Sequence, residues 1–304
     1  MSAATPNPRP TVTLAVIARD HSDFVERAVA SAFAQTRPPH ELLLVDDGST
    51  DGTRELLAAR AEHARFLPLE RGGPAAAYNA ATAAATGEWI AFLEGDDWLE
   101  PDYLEAVFAF VADHPDAAWV GVGRRAVDED DRPRRASLDK RTRGELFTTR
   151  GFLKRDMGRC GAPVARRAEL LAVGPWSAPS FDVETDMALR FSLRFPMYFL
   201  DRPLYVERRP RNGERSRLAN AMETVRHLEN LADLSPEWVA ANRRTYQWAL
   251  AKSCGRVGVA LRASGAPWRE SGAWLLRARR AAPWTPKHWR RWLLNRFRSS
   301  SPKP

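Results

Sequence analysis

Cysteine is nearly absent from this 304-residue sequence; only Cys160 and Cys254 occur. Two cysteines so far apart match neither a disulfide framework nor a zinc-ligand spacing, so a stapled secreted scaffold is excluded and a reducing compartment is expected. No run of 18 apolar residues occurs, which excludes a membrane-spanning helix. The opening Met1–Pro10 is proline-rich and polar. It lacks the apolar core of a secretory signal, so none is expected. The first apolar run does not open onto a glycine-rich phosphate loop, because Ala18-Arg19-Asp20-His21 follows it. That argues against a nucleotidyltransferase on a similar sheet. Acidic residues are outnumbered, 38 to 46, leaving a net charge of +8 and pointing to a polyanionic partner: nucleic acid, an anionic membrane or a phosphorylated substrate.

What is present is an alternation. Thr11–Ala18 is a β-branched run suited to a buried strand, and Asp23–Thr36 carries apolar residues at helical spacing. Leu42–Val45 is a second strand, Thr53–Ala64 a helix, and Arg65–Leu69 a short strand. Ala75–Ala85 is helical by propensity, and Trp89–Leu93 is an unbroken apolar strand. Further on, Asp102–Ala112 is a helix, Ala118–Gly123 a strand and Asp128–Arg143 a charged loop. Cys160–Ala165 is a strand, Ala168–Val173 a short helix, Phe181–Phe195 a helix and Tyr198–Val206 a strand. The remainder is predicted helical at Leu218–Leu231, Pro236–Arg262, Pro267–Arg280 and Pro286–Arg298. Strands alternating with helices predict a parallel, doubly wound sheet, and such sheets bind ligands beyond the carboxyl ends of their strands.

Three predicted strands end in polar clusters: Arg19-Asp20-His21, Asp46-Asp47 and Glu94-Gly95-Asp96-Asp97. Carboxylates at the tip of a buried strand need a positive partner, and hard divalent cations take oxygen ligands of this kind, shared with substrate phosphates. Each cluster also has a plain structural alternative. Asp46-Asp47 before Gly48 suits an Asx-turn, and Asp96 or Asp97 suits an N-cap with Pro101 in the first helical turn. His21 reads as a surface residue, Cys160 as buried packing, and Asn79 equally as a loop anchor or a ligand contact.

Taken in order, Phe24–Thr36, Leu44-Val45-Asp46-Asp47-Gly48-Ser49-Thr50-Asp51-Gly52-Thr53, Gly72-Gly73-Pro74, Asn79, Thr86-Gly87 and Phe92–Trp98 resemble the blocks of the inverting family 2 glycosyltransferases. Gly174, Asp182–Arg190 and Leu204-Tyr205 fall where that family's later blocks lie. The resemblance implies an α/β GT-A fold: a doubly wound, mostly parallel sheet flanked by helices, followed here by an α-helical C-terminal region. It divides the chain into a disordered 1–10, a catalytic domain over 11–216, and a basic, Trp-rich helical region over 217–304.

The same resemblance implies site residues. Ala18, Arg19, Asp20, Asp46, Asp47, Gly73, Asn79 and Asp96 would contact a nucleoside-diphosphate sugar. Glu94, Asp96 and Asp97 would hold Mg²⁺ or Mn²⁺. Glu184, with Asp186 beside it, would supply the catalytic base. A base there takes the proton of an acceptor hydroxyl, and the cation neutralises charge on the departing diphosphate. The sequence departs from the family pattern in places. Ile17, Arg19 and Asp20 stand where a first strand usually ends Pro-x-Tyr-Asn, and Tyr78 stands where an arginine is usual. Glu94 replaces the first metal-motif aspartate, and Arg209-Pro210-Arg211-Asn212-Gly213 replaces a His-Pro-Gly loop. Arg208, Arg209, Arg211 and Arg215 would reach the diphosphate.

The implied activity is transfer of a sugar to a hydroxyl of a glycan or lipid-linked acceptor; the alternative is a lapsed sugar-nucleotide- or glycan-binding module. Tryptophans among arginines in Pro267–Arg298 suit an anionic membrane surface, or equally helices packed through their indoles. Nucleic acid is not expected, since the arginines are spread over a helical face with no recognition motif. The expected location is cytoplasmic, peripheral at the inner face of the cell membrane.

Overall fold

The computed structural model describes residues 9–128, 130–134, 146–155, 161–177, 183–209 and 217–285. Expectations for residues 1–8, most of the charged loop, Cys160, Asp182, Arg211, Arg215 and the helix at 286–298 lie outside the described residues. Two compact units emerge, one built on residues 1–148 and 159–211, the other on 149–158 and 212–304.

The first unit opens with strict alternation: β1 (Val12–Ala18), α1 (Val25–Phe33), β2 (Glu41–Asp47), α2 (Thr53–Ala58), β3 (Arg65–Leu69), α3 (Pro74–Ala84) and β4 (Trp89–Glu94). These strands run parallel in the order β3-β2-β1-β4. Every residue of β1 is buried, as a central parallel strand covered on both faces requires. Helix α1 turns Val25, Ala28, Val29 and Ala32 into that cover. Helix α2 ends at Ala58, short of the predicted Ala64, because Arg60, Ala61 and His63 donate to carbonyls three residues back and tighten the chain out of α-geometry.

Beyond β4 come β5 (Trp98–Leu99), α4 (Tyr103–Asp113), β6 (Trp119–Val127), β7 (Leu146–Phe147), β8 (Gly161–Arg166), α6 (Arg167–Val173), α7 (Val183–Ser192) and β9 (Met197–Arg208); α5 (Thr149–Arg155) belongs to the second unit. Here the sheet becomes mixed. Strand β8 pairs antiparallel with β4 and β6, β9 runs parallel to β6, and β5 and β7 add antiparallel to β9. Strand β5 was not foreseen. Trp98 and Leu99 pair with Val206 and Tyr205, and helix α4 begins only at Tyr103, with no side-chain cap at Asp102. The alternative reading of Asp96 or Asp97 as an N-cap is therefore replaced by a turn between two strands.

The second unit packs α8 (Arg217–Leu234), α10 (Arg243–Ala263) and α11 (Trp268–Ala281) around Ala221, Val225, Cys254, Val257, Leu261 and Ala278, and the short α9 (Pro236–Ala241) joins α8 to α10 without burying a residue. The predicted single helix Pro236–Arg262 breaks at Asn242, whose side-chain amide donates to the Trp238 carbonyl at 3.0 Å. Cys254 is free and buried, and desolvation raises its thiol to about 11. No described helix is long and apolar enough to cross a membrane.

Candidate active site

Sheet register fixes the first relationship. Ala18 lies opposite Asp46 and Ile17 opposite Glu94, so the ends of β1, β2 and β4 are level at one edge. The loops after β1 and β2 are then clamped together. Asp20, at φ +54°, accepts from the Thr50 amide at 2.9 Å, and its own amide donates to the Ser49 hydroxyl. Asp51 accepts from the Ser22 amide and from Thr53, and these bonds outweigh its desolvation and hold its carboxyl far below the usual carboxylate range.

The neighbouring aspartates of β2 take different directions. Asp46, fully buried, pairs with Arg54 at 2.7 Å and accepts from the Ser49 amide, three residues on, at 3.2 Å, a wider loop closure than the expected Asx-turn. Asp47 accepts through Oδ1 from the amides of Gly72 at 2.8 Å and Gly73 at 3.1 Å, and its Oδ2 faces Arg19 at 3.4 Å. Gly73 sits at φ +84°, where a side chain is strained, and starts α3 with Pro74 in its first turn.

A hollow of about 190 Å³ opens at this edge, lined by Ile17, Ala18, Arg19, His21, Asp47, Pro74, Ala77, Tyr78, Glu94 and Asp96. Asp20, Asp46, Gly73 and Asn79 support its loops without lining it. Asn79 forms a reciprocal pair with the Trp176 backbone, donating at 3.2 Å and accepting at 2.8 Å. His21 was read as a surface residue; the structure puts it on the hollow, with Nδ1 buried and unpartnered. Gly95 makes room for it, since a Cβ there would fall 2.9 Å from His21 Nδ1 and 2.6 Å from the Ala18 Cβ.

The acidic turn is held from strand β9. Asp97, 3 % exposed, accepts from the Tyr205 hydroxyl through Oδ2 and from the Arg208 amide through Oδ1 at 2.6 Å. Arg208 also donates to the Asp96 carbonyl at 3.2 Å and pairs with Asp131. Its guanidinium is thus turned to the turn's backbone, and Arg209 pairs with Glu207. Burial, and then the charges of Asp96 and Glu94, push Asp97 well above the usual range. Glu94 reaches solvent through the mouth of the hollow yet is ringed by protein atoms. Desolvation, then Asp96 and Glu184, push it up to about 8.

Glu184 stands at the start of α7 and does not line the hollow itself; it meets Tyr78, which does. Its Oε1 accepts from the Tyr78 hydroxyl at 3.3 Å and its Oε2 from Arg124 at 3.2 Å. Tyr78 lines the hollow, stacks on Phe92 with centroids 4.9 Å apart and meets Trp176 at a tilt of 52° with centroids 4.6 Å apart. Arg124 also faces Glu207 at 3.6 Å and lies over the Tyr205 ring at 5.6 Å. Asp186 is buried and paired with Arg190 at 2.9 Å within its own helix. Tyr78, Arg124, Trp176 and Tyr205 had no site role in the sequence reading beyond Tyr78's departure from the family pattern, because their partners lie 60 to 108 positions away.

This arrangement is that of a GT-A fold. The mannosyltransferase PcManGT of Pyrobaculum calidifontis, solved with GDP-Man and Mn²⁺, superposes with a TM-score of 0.58 over 98% of this chain and 89% of its own at 20% identity. The model of glycosyl transferase family 2 matches residues 13–171, and the chain belongs to that family. The succinoglycan biosynthesis protein ExoO of Rhizobium meliloti is 43% identical over 97 residues, 31% of this chain but only 28% of ExoO, so the chain matches under a third of that relative's length. TuaG of Bacillus subtilis, named for teichuronic acid biosynthesis, is 30% identical over 62% of this chain and 73% of its own.

A divalent cation fits the acidic turn. Oxygen atoms of Glu94, Asp96 and Asp97 all lie within 4.8 Å of one another. Asp96 Oδ1 is buried with no hydrogen-bond partner, an orphaned acceptor that a cation would satisfy.

Proposed function

We propose that this chain transfers a sugar from a nucleoside-diphosphate sugar to a hydroxyl of a glycan or lipid-linked acceptor, inverting the anomeric centre. The observation that carries this reading is a single hollow lined by Asp47, Glu94 and Asp96 whose wall, Tyr78, is bonded to Glu184. Glu94, Asp96 and Asp97 would hold Mg²⁺ or Mn²⁺, which when bound neutralises charge on the leaving diphosphate. Arg19 lies at the hollow beside Asp47, where its planar guanidinium suits a nucleotide base. Tyr78 and Arg124 grip one oxygen each of Glu184, fixing the carboxylate's direction. Glu184 takes the proton of the acceptor hydroxyl as that oxygen bonds the anomeric carbon and the bond to the diphosphate breaks. Attack opposite the leaving group gives inversion. Asp186, engaged with Arg190, steadies the helix that presents Glu184. The reading keeps the enzyme in the cytoplasm, at the inner membrane face, in envelope polysaccharide assembly.

Thermal shift of the full chain with UDP-, GDP- and dTDP-sugars, each with and without Mn²⁺, tests donor binding. One donor should stabilise the fold only with metal. Glu184→Gln should keep that shift while transfer falls about 10²- to 10⁴-fold. No metal-dependent shift with any donor would overturn the reading, and a shift without transfer or donor hydrolysis would establish the lapsed binding module.

A further inference from the structure

Charge on this chain is segregated. Residues 1–216 hold 29 Lys and Arg against 33 Asp and Glu, a net −4, whereas residues 217–304 hold 17 against 5, a net +12. The whole excess of positive charge therefore belongs to the C-terminal region. Internal ion pairs do not consume it. Arg277 is paired with Glu229, but Arg243, Arg244, Arg262, Arg269 and Arg280 have no carboxylate partner among the described residues.

The helical unit contains a hollow of its own, about 430 Å³, lined by Arg244, Thr245, Trp248 and Trp284. The first three project from one face of α10, and Trp284 follows α11. Trp284 is 51 % exposed and Trp268, at the opposite end of α11, 53 %. The Lys252 ammonium lies 5.1 Å from the Trp248 ring. Two indoles thus wall an open slot with cations at its rim. Sugar transfer in the first unit makes no use of it. An indole has an apolar body and one N–H donor, which suits the boundary between headgroups and acyl chains. Guanidinium groups bind phosphate through paired N–H donors.

We propose that this slot seats the phosphate-bearing headgroup of an anionic lipid, so that the helical unit docks on an anionic bilayer through Trp284, Trp248 and Arg244. The proposal rests on the membrane-surface part of the function above and deepens it by naming the lipid class and the residues that bind it. Exposed tryptophan beside unpaired arginine suits a lipid headgroup with the acyl boundary beneath it, and competition by single-stranded DNA separates this from stacking of nucleic-acid bases on the indoles.

Co-sedimentation of the full chain with phosphatidylcholine vesicles, with and without phosphatidylglycerol, tests it. Binding should require phosphatidylglycerol and weaken with salt. Trp284→Ala and Arg244→Glu together should reduce it at least tenfold, while Trp284→Phe with Arg244→Lys restores most of it. All variants should keep the wild-type helical circular dichroism and melting transition of the second unit, which shows that its fold survives, and the wild-type thermal shift with donor and Mn²⁺. Equal binding to both vesicle types, or unchanged binding by the Ala/Glu variant, would overturn the proposal. So would full displacement from vesicles by single-stranded DNA, or by inorganic phosphate at an ionic strength where chloride leaves the protein bound. If vesicle binding behaves as stated but no donor shifts the wild-type protein, the transfer reading falls and the lipid site stands.

Discussion

Replacing Asp47 with alanine removes the acceptor of two backbone amides at once. Asp47 Oδ1 receives the N–H groups of Gly72 at 2.8 Å and Gly73 at 3.1 Å, and Oδ2 faces Arg19 at 3.4 Å. Hydrogen bonds to a charged group contribute about 1.5–3 kcal/mol each. Gly72 is exposed, so water replaces part of the loss, and the first unit should lose about 2–4 kcal/mol. Gly73 at φ +84° cannot relax to a commoner conformation without moving Pro74 and Ala77, which line the hollow. Metal-dependent donor stabilisation should therefore disappear together with stability. Equilibrium urea unfolding, followed on the first unit's transition, should show the midpoint lower by about 1 M for m near 2–3 kcal/mol/M. Asp47→Asn keeps Oδ1 as an uncharged acceptor and should lose about half as much as Asp47→Ala. An Asp47→Ala midpoint within about 0.2 M of wild type would refute the view that this carboxylate anchors the loop.

Three further outcomes follow from the acidic turn. Tyr205→Phe removes one of the bonds that orient Asp97 and should weaken Mn²⁺ binding about 10- to 100-fold by calorimetry, with the fold retained. Glu94, pushed up to about 8 in the folded chain against 4.5 for the free side chain, favours the protonated form. The Glu94 contribution to metal-free stability is therefore full below about pH 4.5 and declines as pH rises through 8, whereas stabilisation by Mn²⁺ grows over that same window; in Glu94→Gln both trends should weaken in melts from pH 5 to 9. Gly95→Ala places a Cβ 2.6 Å from the Ala18 Cβ and should cost about 1–3 kcal/mol in urea unfolding, with His21 displaced from the hollow.

The sequence alone determined the βα alternation, the parallel strands β1, β2 and β4 and their polar ends, because apolar runs and turn residues act over a few neighbours. It also brought Asp47, Glu94 and Asp96 to one edge, since parallel strands begun in register end level. Tertiary structure decided the rest. Strand β5 is two residues long and exists only because Val206 and Tyr205 of β9 lie beside it. Asp46 and Asp47 are adjacent and chemically identical, yet opposite faces of one strand commit the first to Arg54 and the second to the glycine loop. Tyr205 is 108 positions from Asp97, and Arg124 is 60 from Glu184; both pairs meet only once β6 and β9 have joined the sheet. Local pattern fixes which face of an element is apolar, while the partner of a buried charge depends on which distant element arrives to meet it.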